Sequence, residues 1–363
     1  MSAQTLHAAG ILDRSRPTGL SLHPFRGIRR SQHALARDHE PAFYILEQRR
    51  GAALLQRGMI GTLDLTTSQR AILPHEHVIA DKVALQRRII RLAGGNPEPL
   101  LLACHGADDA HEVMAQITGR RPDTTVEAPD GIRHSLWRCA DVGHQRVIAA
   151  DFGVRSALIA DGHHRYAAAL KHRRRFGGRS GPWDRILALV VDTRRHPLHL
   201  GAIHRHLPDL ASHEAAARAA AVATVEEVCP RTHLQPHPGE LILLGDDRRW
   251  SVTAPRTGEV RAALAGHPEA WQSLDAAVLH HLFIDRVWRT PSGSHKVSYL
   301  PDLTHAPTTG TLALLAPPTE DDVRRLAERG TRMPQKSTSF GPKPLPWLVT
   351  YHHGFQTRGS VEE

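Results

Sequence analysis

Four short stretches concentrate the side chains able to do chemistry: Pro74-His75-Glu76-His77, Asp161-Gly162-His163-His164-Arg165, His204-Arg205-His206 and Lys336-Ser337-Thr338. In the second, an apolar strand predicted over 156–160 runs through an Asp161-Gly162 turn into a helix predicted over 163–176, which Gly177 and Gly178 end. A further apolar strand over 186–191 completes a predicted β-α-β crossover. In such a unit the first-turn amides open beyond the end of the first strand, where free N–H groups and the helix dipole favour an anion. Gly162 lets that anion approach the backbone, and Arg165, one turn in, supplies a planar two-pronged donor. An Asp at a helix start and a Gly at a strand-to-helix turn are also ordinary punctuation. What favours a phosphate seat is four charged or titratable groups packed at one helix start.

Glu76 stands beside imidazoles in a loop before a helix predicted over 81–92, a setting for a general base, a substrate contact or a Mg²⁺ ligand. The alternative is a surface glutamate approaching a helix. His75 and His77 share a face if the segment is extended, but they lack i, i+4 spacing and have no nearby Cys, so no metal site is predicted from them. Lys336, Ser337 and Thr338 lie among prolines and must be loop or edge. Such a polar loop can fold over phosphates, although no Gly-x4-Gly precedes the lysine as a Walker sequence requires. Brought back to the Asp161 turn, Lys336 would neutralise a transferring phosphoryl group. His204 is either a pocket residue or a buried, hydrogen-bonded histidine.

The run Asp161-Gly162-His163-His164-Arg165-Tyr166 resembles the signature of a large bacterial and archaeal family known as domain of unknown function 1015. Pro24 to Arg29, Pro41 to Ile45, Arg57 to Gly61, Pro74 to Glu76, Gly131 to Trp137 and Met333 to Phe340 resemble further blocks of that family, in family order, over most of Leu22 to Val349. The family's Pro-Pro-Tyr-Asp-Val block is missing here, since only Arg30 to Glu40 separate the first Arg-rich segment from the Phe-Tyr strand. Its Thr-His-Arg reads Ile203-His204-Arg205. The Gly162-x-His164-Arg165-Tyr166 core also resembles, more distantly, the phosphate-binding turn of the ParB and sulfiredoxin superfamily, whose relatives include nucleotide-dependent kinases of free serine. The resemblance implies a mixed α/β (α+β) fold with a ParB/sulfiredoxin-like phosphate-binding core and added N- and C-terminal elements.

The chain has 363 residues and a net charge of +9, from 46 Lys and Arg against 37 Asp and Glu. That length exceeds one ordinary core of roughly 250 to 300 residues, so two domains or one elaborated domain are expected. The reading divides it into an extended or disordered stretch over 1–21, an α/β region over 22–208 holding the Asp161 turn, a C-terminal α/β region over 209–350 that closes on the site, and a frayed tail over 351–363. Within these, one helix is read before residue 154, a helix runs from 212 to 229, a hairpin turns through Asp246 and Asp247, and helices follow over 274–287 and 319–329. No apolar run reaches the roughly 18 to 20 residues of a membrane span, and three scattered cysteines argue against a disulfide framework. A cytoplasmic protein is expected. The basic balance favours anionic partners, with a small-molecule ligand preferred over nucleic acid because the densest basic run, Lys171 to Arg175, also suits a helix end.

These readings converge on a kinase that uses ATP or ADP with Mg²⁺ to phosphorylate the hydroxyl of a free amino acid such as serine. The amides of Gly162, His163 and His164, with Arg165, would hold nucleotide phosphates, aided by Lys336, Ser337 and Thr338. Glu76 or Asp161 would take the hydroxyl proton or bind Mg²⁺, with His163 and Lys336 in the catalytic set and His75 and His204 at the pocket. Two alternatives stay open: a non-catalytic nucleotide- or nucleic-acid-binding regulator, including a family member that has lost activity, and a metal-dependent hydrolase using His75, His77, His163 and His164.

Overall fold

The computed structural model describes residues 19–31, 34–229, 235–245, 247–289 and 297–356. Most of the expected N-terminal stretch, Asp246 of the predicted hairpin turn and the last residues of the tail lie outside these. The fold is mixed α/β, with four sheets among the described residues and helices α1 (Ala80–Leu92), α2 (Asp108–Thr118), α3 (Val142–Phe152), α4 (His163–Arg173), α5 (Ser212–Ala219), α6 (Thr257–Ala263), α7 (Asp275–Val278) and α8 (Glu320–Glu328). Among the described residues, no helix is long and apolar enough to cross a membrane.

The largest sheet runs Ile72–Leu73, Ala157–Asp161, Leu100–Cys104, Arg185–Asp192, Ala53–Asp64, Phe43–Arg50, Arg133–Cys139 and Thr124–Glu127, with Leu22–His23 paired to Ala53–Asp64. Its central strands are apolar on both sides, and their alternation feeds two cores. Leu100, Leu102 and Cys104 pack with Val83 of α1, Val113 of α2, Ile148 of α3 and Tyr166 of α4. Leu101 and Ala103 point the other way, into a core shared with the C-terminal half. That half forms a second, antiparallel sheet in the order Thr224–Glu227, Arg248–Thr253, Leu241–Gly245, Thr311–Leu315, His204–Leu207, Ser298–Leu300. The chain's last stretch then returns to the first half: Thr338–Gly341 pairs with His199–Ala202, and Val349–His352 lies between Gly27–Arg30 and Gly95–Asn96.

The predicted crossover needs correction. Strand Ala157–Asp161, α4 and strand Arg185–Asp192 follow in order, but both strands flank Leu100–Cys104, the first antiparallel to it and the second parallel, so they oppose each other. The reversal comes from the segment after α4. Gly177 is left-handed at φ 57°, Trp183 stacks on Phe176 at 3.7 Å, and Arg173 grips Asp184 at 2.6 Å, returning the chain to the sheet end where Asp161 leaves it.

Other boundaries move for local reasons. The helix expected over 212–229 stops at Ala219, because Thr224–Glu227, centred on the β-branched Val225, pairs with Trp250–Thr253 instead. The helix expected over 274–287 is the four-residue α7 continued by a π-helix, Leu279–Val287. Helices α2 and α3 lie where only one helix was read before residue 154. The expected start of α8 holds: the Thr319 side chain accepts the Asp322 N–H.

Candidate functional site

Three segments far apart in sequence meet at the end of strand Ala157–Asp161: the loop 74–79, the α4 start and the loop 333–338. Gly162 makes the turn at φ 104°, a left-handed value that disfavours a side chain. A Cβ there would sit 2.7 Å from Leu100 Cδ2 and 3.0 Å from the Arg165 guanidinium, so the arginine lies directly against the turn. No side chain caps α4.

The imidazoles after the turn face the loop before α1. His163 Nε2 accepts the N–H groups of His75 (3.2 Å) and Glu76 (3.3 Å), and His164 Nε2 accepts that of Ile79 (3.0 Å) at the start of α1. Burial holds His163 well below its usual pKa, and the neighbouring His75 adds to this; burial also lowers His164. Both rings are therefore neutral acceptors that hold the loop, which takes the His163 imidazole out of the expected catalytic set. Their backbone amides remain at the α4 start.

That grip shapes Glu76. Its carboxylate accepts the Ser337 and Thr338 N–H groups and the Thr338 hydroxyl at 3.2 Å, while burial raises its pKa against those donors. Thr338 Oγ1 also lies 2.9 Å from His75 Nε2. His75, Thr338 and Glu76 thus lie in one hydrogen-bonded row. His75 has no exposed surface, and burial drives its pKa down to about 3. His77 is exposed, so these two histidines diverge instead of sharing a face as an extended segment would require.

Two arginines fix the backbone of this site. Arg332 donates to the Glu76 carbonyl at 2.8 Å. Arg205, 1% exposed, donates to the Lys336 carbonyl at 3.0 Å and stacks over the Tyr299 ring at 4.4 Å; burial lowers its pKa to about 10. Lys336 itself is left-handed at φ 59°, a strained conformation for a lysine, and this bond ties it down. Burial lowers the pKa of its ammonium, and the charge of Lys82 lowers it further. Ser337 differs from expectation: its hydroxyl closes a turn on the Pro334 carbonyl at 2.7 Å, leaving only its amide for the site.

Arg165 is the main departure. Its guanidinium pairs with Asp161 at 2.6 Å and with Glu98, and Lys343 takes the other Asp161 oxygen at 3.2 Å. The expected free phosphate clamp is held by the protein's own carboxylates. His204 is also corrected: half-buried, its Nδ1 accepts the Leu315 N–H at 3.2 Å within the second sheet, which matches the hydrogen-bonded alternative.

Sequence reasoning missed Arg205, Arg332, Glu98, Lys82 and Lys343. Arg205 stood beside a histidine already considered, and Glu98 is framed by Pro97 and Pro99, a pattern that holds a side chain at a loop edge.

A family model described as a protein of unknown function, DUF1015, matches residues 29–277, more than half of the chain. The chain belongs to the DUF1015 family. The matched stretch of this DUF1015 chain contains Glu76, the Asp161 turn and Arg205, and ends before Lys336. No curated protein matches it. Among solved structures, a mutant free serine kinase in complex with AMP is 15% identical at a TM-score of 0.37, over 76% of this chain and 88% of that one. A conserved hypothetical protein from Pyrococcus furiosus is 15% identical at 0.37, over 76% and 89%. Truncated SbnI from Staphylococcus aureus is 12% identical at 0.42, over 79% and 87%.

Proposed function

We propose that this DUF1015 chain is a nucleotide-dependent phosphotransferase acting on the hydroxyl of a small metabolite. The observation that carries the reading is Glu76, a carboxylate of raised pKa held by two amides and one hydroxyl, with the Lys336 ammonium nearby. Lys82, Lys336 and Lys343 supply positive charge near the Asp161 turn, and the uncapped α4 start adds N–H groups. Phosphoryl transfer depends mainly on positioning and charge neutralisation, which such a set provides.

In this reading the substrate hydroxyl attacks the terminal phosphorus of ATP or ADP. An O–P bond forms, the bridging O–P bond breaks, ADP or AMP leaves, and Glu76 takes the hydroxyl proton. Lys336 neutralises charge on the transferring group, and the His75–Thr338 chain keeps Glu76 oriented. Both Asp161 oxygens are taken by cations, so this carboxylate does not fit Mg²⁺, and no step here runs through a metal. A free amino acid such as serine as substrate follows from the resemblance of the Gly162-x-His164-Arg165-Tyr166 motif to the ParB and sulfiredoxin type of turn.

The test is turnover of ATP and of ADP by the full chain, with Mg²⁺ present, against a panel of hydroxy amino acids, followed by phosphorus NMR. The expected result is a phosphomonoester product, formed about 10² to 10⁴ times more slowly by Glu76→Gln. Turnover of neither nucleotide refutes the reading. One observation favours a second reading, a nucleotide binder without turnover: Arg165 is engaged by Asp161 and Glu98. That reading predicts nucleotide binding that leaves the nucleotide intact.

A further inference from the structure

Behind the loop that carries Lys336, the second sheet, α7 and α8 enclose a cavity of about 830 Å³. Its wall is mostly apolar, built from Leu241, Val252, Leu274, Phe283, Leu315 and Leu326, and Met333 and Ser337 close one side. Neither the Asp161 turn nor Glu76 lines it. The volume lies within the range of small-molecule sites, about 300 to 1,000 Å³, where apolar walls and a few fixed polar groups are the usual pattern.

One carboxylate in that wall, which also holds Arg325 and Arg329, makes no ion pair among the described residues. Asp275 opens α7, and its two oxygens share the N–H of Gly239, each at 3.1 Å. Among the described residues no ion pair reaches it, and burial raises its pKa while the Gly239 N–H opposes the rise. Asp322, by contrast, is engaged by Arg325 at 3.0 Å and by Thr319 at 2.6 Å. An aspartate at a helix start is ordinary, but α7 spans only four residues and contributes little dipole. A half-buried carboxylate in a mostly apolar wall is better satisfied by a cation than by the one amide it holds.

We propose that this cavity binds a small aromatic or aliphatic amine, with the ammonium on Asp275 and the hydrocarbon body against Leu241, Val252 and Phe283. The site is separate from the reaction proposed above and does not depend on it. Three indoles that differ only in head group test it by calorimetric titration of the full chain near neutral pH: tryptamine, tryptophol and indole-3-propionate. Tryptamine is expected to bind at least tenfold tighter than tryptophol, with no detectable binding of the acid. Asp275→Asn should bring tryptamine to the tryptophol level and leave tryptophol unchanged. Ser273→Trp, an exposed position on the cavity rim, should weaken both. Binding of none of the three, equal binding of amine and alcohol, a preference that survives Asp275→Asn, or indifference to Ser273→Trp overturns the proposal.

Discussion

Acid should weaken this protein through His75. The ring is fully buried and hydrogen-bonded as a neutral group, with a folded-state pKa of about 3 against the ordinary 6.5 of a histidine in water. The folded pKa is the lower one, so protons bind the unfolded chain in preference. The stability is complete above the unfolded value and drains away as pH falls from 6.5 toward 3. At about 1.36 kcal/mol per pKa unit, the loss from this one residue is about 2 kcal/mol between about pH 8 and about pH 5. Other buried histidines titrate in the same window, so the informative quantity is a difference between variants. His75→Gln can keep a hydrogen-bond partner toward Thr338 while removing the titration. Urea unfolding of both proteins across this range should give a pH-dependent loss about 2 kcal/mol smaller in the variant. Parallel curves would refute the assignment of His75 as a neutral, desolvated ring.

Gly162→Ala should destabilise the fold by about 2 to 4 kcal/mol in thermal unfolding, because it combines a left-handed φ with a Cβ contact of 2.7 Å on Leu100. Gly131→Ala, at φ 76° with open space around it, should cost only about 1 kcal/mol. Thr338→Val removes a donor that lowers the Glu76 pKa, so the acidic limb of any activity profile should move to higher pH, measured as kcat/KM against pH. Arg205→Met removes the bond to the Lys336 carbonyl, and limited trypsin digestion should then cut after Lys336 faster than in the native protein while other sites keep their rates.

The elements legible in the sequence were those with strong local signals. The Thr319 cap, the glycines after α4 and the apolar strands Leu100–Cys104 and Arg185–Asp192 fell where chain chemistry put them. Helix α2 was legible too, with acidic residues in its first turn and Ala110, Val113, Met114 and Ile117 along one face, and was missed. Helix α3 offers less, since its buried face includes Asp151 beside Ile148 and Phe152. The antiparallel return after α4 could not be read, because it depends on Phe176 meeting Trp183 and on sheet pairing with Leu100–Cys104. At the site, the motifs around Glu76, Asp161 and Lys336 each stood out by residue type. Their partners did not: which lone pair His163 offers and which carboxylate Arg165 prefers are decided by segments remote in the chain.

The cradle of Glu76 is assembled from opposite ends of the polypeptide, since the amides of Ser337 and Thr338 close around a carboxylate translated far earlier. Until those late residues emerge from the ribosome, Glu76 is an ordinary hydrated acid. A stop codon ahead of Met333 would remove the donors that hold Glu76, although every strand of the largest sheet precedes it in the chain.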